Sequence, residues 1–128
     1  MGGFYVDCTV ENMVVRDRSA LVSQLLVDKG SESTWLPEAV LRDLGVQIEK
    51  SNQQFVMANG EVITRDIGYA ILRVDGFQTI DEIVFAQAGD LSLLGAHTLE
   101  GFSAVIDATR KQLVAAGPRP AAANFKNR

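Results

Sequence analysis

The chain has 128 residues, 47% of them hydrophobic and 22% charged, enough for one globular core and too few for two ordinary domains. The formal charge of -4 is unevenly spread: residues 1–107 carry 7 basic against 16 acidic side chains, and Arg110, Lys111, Arg119, Lys126 and Arg128 follow the last acid, Asp107. Such a body has no basic face to neutralise phosphates, and no apolar run nears the roughly 18 residues that span a bilayer, so neither nucleic acid nor membrane is an expected partner.

The pattern is mostly strand, which predicts an all-β barrel or sandwich with two short helices. Phe4 to Val10, Met13 to Arg16 and Ala20 to Val27 read as three strands rich in β-branched or aromatic residues, the last two joined by a turn at Asp17-Arg18-Ser19. After Gly30 the period changes. Pro37 fits a first helical position, Val40, Leu41 and Leu44 recur at helical spacing, and Gly45 supplies a left-handed stop. Phe55-Val56-Met57 and Val62-Ile63-Thr64 then flank Ala58-Asn59-Gly60-Glu61, a hairpin predicted from Asn-Gly. Ile67 to Val74 and Phe77 to Phe85 form two long strands around Asp75-Gly76. Leu93-Leu94-Gly95 precedes a short helix over Thr98 to Phe102, and Ala104 to Ile106 pairs with Gln112 to Val114 in a final hairpin. Residues 1–116 form the expected domain, and the Pro-, Ala- and basic-rich stretch 117–128 an expected disordered tail.

Cys8 stands alone, so an intrachain disulfide is excluded and the residue reads as a small buried filler. His97 and Cys8 supply no cluster at metal-ligand spacing, so no metal is expected, and His97 reads as a surface or internally bonded histidine. The start Met1-Gly2-Gly3-Phe4 is not a basic segment followed by an apolar one, which makes a soluble, cytoplasmic protein the expectation.

The stretch that carries chemistry is Leu25-Leu26-Val27-Asp28-Lys29-Gly30-Ser31, an apolar strand ending in a carboxylate with a glycine two residues on. By itself Asp28 reads as an ordinary turn aspartate rather than a reactive one. Residues 25–46 as a whole resemble the active-site segment of retropepsin-like aspartic proteases, particularly the small bacterial and retroviral-type members. Leu93-Leu94-Gly95 matches the family's apolar-apolar-glycine signature before its last helix, and the Asn59-Gly60 hairpin falls where the family has its flap. Order and spacing agree from about Phe4 to Val114.

The resemblance implies a closed β-barrel that works as a homodimer, each copy contributing Asp28 to a shared site. Two carboxylates held close share one proton. The ionised one takes a proton from water while the protonated one bonds the scissile carbonyl of a polypeptide substrate, with no metal or organic cofactor. It further implies an active-site loop of Lys29, Gly30 and Ser31, and a flap of Met57, Ala58, Asn59 and Gly60. Glu32, Val84 and Leu94 are the candidates for bordering the substrate groove. Trp35 reads as a core or groove-wall aromatic, and Ile83, Phe85 and Leu93 as core.

Lys29 departs from the family pattern, which has threonine or serine there. A lysine has no acceptor with which to replace a hydroxyl's bonds, and an ammonium near two aspartates favours both in the ionised form. A natural pseudoenzyme, an introduced substitution and an active variant whose lysine turns to solvent are all compatible with that residue. The leading expectation is an aspartic endopeptidase; the alternative is a silent dimeric module that binds extended peptides.

Overall fold

The structure, a computed structural model, describes residues 3–122. It is mostly β. A seven-stranded sheet runs in the order β1-β2-β7-β3-β6-β5-β4, and β1 pairs additionally with β5, while β8 and β9 form a separate two-stranded sheet. Among the described residues no helix is long and apolar enough to cross a membrane.

Strand β1 (Tyr5–Glu11) alternates exposed and covered positions, which turns Val6, Cys8 and Val10 inward. It pairs antiparallel with β2 (Ser19–Val27), from Glu11 opposite Ser19 to Tyr5 opposite Leu26. The register slips between Val6 and Cys8, where Gln24 takes a positive φ of 56° and gives its N–H to Asp7 Oδ1 at 3.0 Å. That bulge bends the end of β2 inward, and Leu25 and Val27 are buried.

The strand expected over Met13 to Arg16 is absent. Asn12, itself buried, accepts the N–H groups of Val14 (2.8 Å) and Val15 (2.9 Å) on Oδ1, and its Nδ2 donates to Leu44 O at 2.9 Å. Amides held by an asparagine side chain are not free for a ladder, so these residues form a loop and β1 pairs directly with β2.

Strand β3 (Thr34–Pro37) runs parallel to β6 and leads into helix α1 (Glu38–Asp43). Pro37 sits one position before the expected one, capping the helix from outside with an extended backbone, and Gly45 ends the turn at φ 75° as expected. The hairpin of β4 (Lys50–Val56) and β5 (Val62–Val74) closes through Met57 N–H to Glu61 O and Gly60 N–H to Met57 O, both 2.8 Å. Gly60 has φ 88°, a conformation that strains side chains with a Cβ. β5 is one strand of 13 residues where two shorter ones were expected, and it turns at Asp75-Gly76 into β6 (Phe77–Ala86), in register from Val74–Phe77 to Ile67–Val84.

The two residues of β7 (Leu93–Leu94) join β2 in parallel and β3 antiparallel, placing Leu94 at the centre of the core with Leu25, Leu36, Leu41, Ile83 and Phe85. Helix α2 (Ala96–Phe102) buries Leu99 and Phe102 and ends at Ser103 in the left-handed region. The hairpin of β8 (Ala104–Asp107) and β9 (Gln112–Ala115) follows as expected. Residues 117–122 have no regular structure and are exposed, yet Arg119 is tied down. It donates to Ser103 Oγ at 2.6 Å and to the carbonyls of Gly101 and Glu100 at 3.0 and 3.1 Å, capping the end of α2. The rest of the expected tail, 123–128, lies outside the described residues.

Candidate functional site

Asp28 follows β2 immediately, and its position is set by backbone bonds to neighbouring segments. Its N–H donates to Leu94 O at 2.9 Å, while its carbonyl accepts from Ser31 N–H at 3.1 Å, closing a turn. Its carboxylate Oδ1 accepts the N–H of Gly30 at 2.9 Å. Ser31 O and Glu32 O then accept the first amides of α2, from Ala96 at 2.7 Å and His97 at 3.0 Å. The loop carrying the aspartate is thereby stitched to Leu94-Gly95 and to α2. Gly95 has no room for a side chain, since a Cβ there would run into the backbone carbonyl of Ser33.

Beneath this loop lies a polar chain that the sequence did not reveal. Gly95 N–H donates to Thr34 Oγ1 at 2.9 Å, Thr34 and Thr98 hydroxyls meet at 2.5 Å, and Thr98 Oγ1 donates to Asp81 Oδ2 at 2.6 Å. Because the Thr98 proton goes to the carboxylate, Thr34 is the donor to Thr98. Asp81 Oδ1 accepts from Glu82 N–H and His97 Nδ1, both at 2.7 Å. Thr34, Thr98 and Asp81 are buried, so every polar atom of the chain that leaves water finds a partner. His97 is the outer end, its side chain 63% exposed, and the Asp81 bond raises its pKa. It is an internally bonded histidine at the surface, as the sequence suggests.

A groove of about 570 Å³ opens over Asp28. It is lined by Asp28, Gly30, Ser31 and Glu32 from the loop after β2, and by Trp35 and Phe55, whose rings lie edge-on with centroids 5.1 Å apart. Met57 and Ala58 of the hairpin and Gly89, Asp90 and Leu91 of the loop after β6 also line it. Six of the eleven residues singled out from sequence thus meet here: Asp28, Gly30, Ser31, Glu32, Met57 and Ala58. Asn59 and Gly60 lie at the exposed hairpin tip, beyond the lining. Val84 and Leu94 are corrected by their burial, at 1% and 0% exposure. Val84 is paired on both sides, with Trp35 and Ile67, and Leu94 contributes to the site its carbonyl and not its side chain. Lys29 is exposed and forms no ion pair among the described residues.

Sequence reasoning missed Phe55 and the loop 87–91. Gly89-Asp90 has the composition of a loop, but nothing local tells which surface a loop faces. No cluster of three His, Cys, Asp or Glu side chains suited to a metal occurs among the described residues. Cys8 is buried, with its thiol pushed up to about 12 by desolvation, and is no nucleophile.

The mostly β architecture, with an aspartate on a strand-end turn, is retropepsin-like in fold. The comparison that supports this is the crystal structure of the retroviral protease-like domain of Ddi1 from Leishmania major, which superposes with a TM-score of 0.61 over 90% of this chain and 89% of that one. Identity is 15%, so the likeness is one of fold. No protein-family model matches the chain, and no curated protein matches it in sequence.

Proposed function

We propose that the chain is an aspartic peptidase domain that acts as a homodimer, with Asp28 of each copy facing a shared peptide groove. The observation that carries this reading is the position of Asp28, half-buried in a groove that Met57 and Ala58 of the hairpin also line. Its Oδ1 is held by Gly30 N–H, and among the described residues neither of the other two carboxylates lining the groove, Glu32 and Asp90, is hydrogen-bonded to it, so the chemistry still needs a proton-sharing partner. A second copy supplies the missing one. The water between them loses its proton to the ionised carboxylate, and the protonated partner donates to the scissile carbonyl. The hairpin β4–β5 acts as the flap that excludes bulk water. Pairing of β1 with both β2 and β5 supports a sheet closed into a barrel, which holds the loops rigidly enough for this chemistry.

A second reading, a silent module that binds extended peptides, is favoured by one residue. Lys29 offers no hydroxyl to fasten the two active-site loops across a dimer axis, and its ammonium is free to approach either aspartate. The two readings separate in one assay on an unfolded protein substrate from about pH 3 to pH 7. Cleavage by the unmodified chain, lost by roughly 10²-fold or more in Asp28→Asn, establishes the peptidase. Cleavage by Lys29→Thr alone identifies the lysine as the silencing element. Absence of cleavage in both, with sedimentation showing an intact dimer, overturns the peptidase reading.

A further inference from the structure

The two sides of the groove are joined by one ion pair. Arg65, on β5, directs Nε to Asp90 Oδ2 at 2.6 Å and Nη2 to Asp90 Oδ1 at 2.8 Å, a two-pronged arrangement with side chains only 14% and 11% exposed. Asp90 Oδ2 also accepts Gln87 N–H at 2.8 Å, and Asp90 N–H returns to Gln87 O at 2.9 Å, so the same carboxylate shapes the loop it sits on. Arg65 Nη1 completes its bonding on Thr64 O at 2.7 Å. Gly89, Asp90 and Leu91 line the groove from one segment, and Val56, Met57 and Ala58, on the hairpin that Arg65 anchors, line it from another.

Arg65 stands opposite Gln53, and only three ladder pairs lie beyond it toward the tip, ending at Val56–Val62. Those outer residues are well exposed, Val56 at 74% and Val62 at 54%. Phe55 of this outer part packs edge-on against Trp35, but a two-stranded ribbon with so little beneath it is marginal in water, so the hairpin is held firmly on the body of the sheet up to Arg65 and weakly beyond it.

We infer that Arg65 and Asp90 are positioning residues that couple the hairpin, at the ladder pair nearest its outer turn that is firmly held, to the 87–91 loop, so that both groove segments, 56–62 and 87–91, are kept in place through this one ion pair. The inference rests on the peptide-groove reading for its functional meaning. Neither side chain needs to touch substrate; their work is to set the width of the opening.

The test is amide hydrogen exchange on the free protein, comparing residues 56–62, residues 87–91 and the central part of β6, 79–85. Arg65→Met and Asp90→Asn should each speed exchange in both groove segments by roughly tenfold or more, with 79–85 within about twofold of the unmodified chain. Arg65→Lys keeps the charge without the fork and should recover part of the lost protection in both segments. Loosening of only one segment, or of neither, overturns the coupling. If Arg65→Met or Asp90→Asn also unprotects 79–85, the milder Arg65→Lys decides: faster exchange in both segments over an intact 79–85 supports the coupling, and unchanged exchange overturns it. Where the Lys29→Thr chain cleaves, adding Arg65→Met should raise KM about fivefold and leave kcat within about twofold, and the reverse split counts against a positioning role. A chain that never cleaves defeats the peptidase reading alone, since the exchange measurement needs no turnover.

Discussion

Thr34 Oγ1 accepts a hydrogen bond from Gly95 N–H and donates one to Thr98 Oγ1, so one hydroxyl both holds the turn before α2 and continues the buried chain to Asp81. Thr34→Val preserves shape and removes both bonds, leaving the Gly95 amide without a partner. Urea unfolding should show a loss of about 1–3 kcal/mol with an unchanged m-value. Lys29 is the opposite kind of residue. Its side chain is exposed and unpaired among the described residues, so Lys29→Thr should leave the unfolding midpoint nearly unmoved, within about 0.5 kcal/mol, whatever it does to activity. A large stability change on that substitution would mean that the lysine is buried against a second copy.

At the scale of elements, the loop after β1 depends on a single side chain. Asn12 satisfies two amides and one carbonyl while buried, and Asn12→Ala strands all three. The expected cost is about 2–3 kcal/mol by urea unfolding, and Asn12→Asp, which keeps the acceptor but loses the donor to Leu44 O, should lie between. The β4–β5 hairpin presents the contrasting case of an element with little beneath its tip. Residues 57–61 are exposed, and Asn59 Oδ1 accepting Glu61 N–H at 2.9 Å is a bond within the turn itself. Under limiting protease the first cut within 3–116 should fall between Met57 and Glu61, detected by mass spectrometry of the fragments. A first cut in the Met13–Arg16 loop would show that Asn12 holds its loop less firmly than the hairpin holds its tip.

For the whole molecule, the charge pairs set opposite slopes of stability with pH. His97 bonded to Asp81 has its pKa raised above the ordinary 6.5, so the pair contributes fully below 6.5 and its contribution is lost as pH rises through the raised value. Because the imidazole is 63% exposed, the effect is small, under about 1 kcal/mol. Asp90 runs the other way. The Arg65 bond holds its carboxyl below the ordinary 3.8, so its contribution is present above that pH and lost as pH falls through the lowered value. Stability should therefore be greatest between roughly pH 4 and pH 6.5. Thermal unfolding of the unmodified chain should show Tm declining from pH 6 to pH 8, and His97→Gln should flatten that decline. An equally steep decline in the variant would assign the slope to another group.

The sequence by itself determined what depends on nearby residues. The alternation of Val6, Cys8 and Val10, the Asn59-Gly60 turn, the Gly45 helix stop and the strand-end carboxylate of Asp28 were each legible within a few positions, because periodicity and turn chemistry act locally. The reading failed where a distant partner decided. Met13 to Arg16 has the composition of a strand, but Asn12 takes its amides while bonded to Leu44, 32 residues on. Val84 and Leu94 read as groove residues, but the elements packed over the sheet faces bury both side chains, at 1% and 0% exposure. Only the tertiary structure joins Thr34 to Thr98 across 64 residues and Arg65 to Asp90 across 25. A hydrogen bond is made between atoms close in space, and the order of residues along a chain specifies that closeness only after the sheet has brought its strands together.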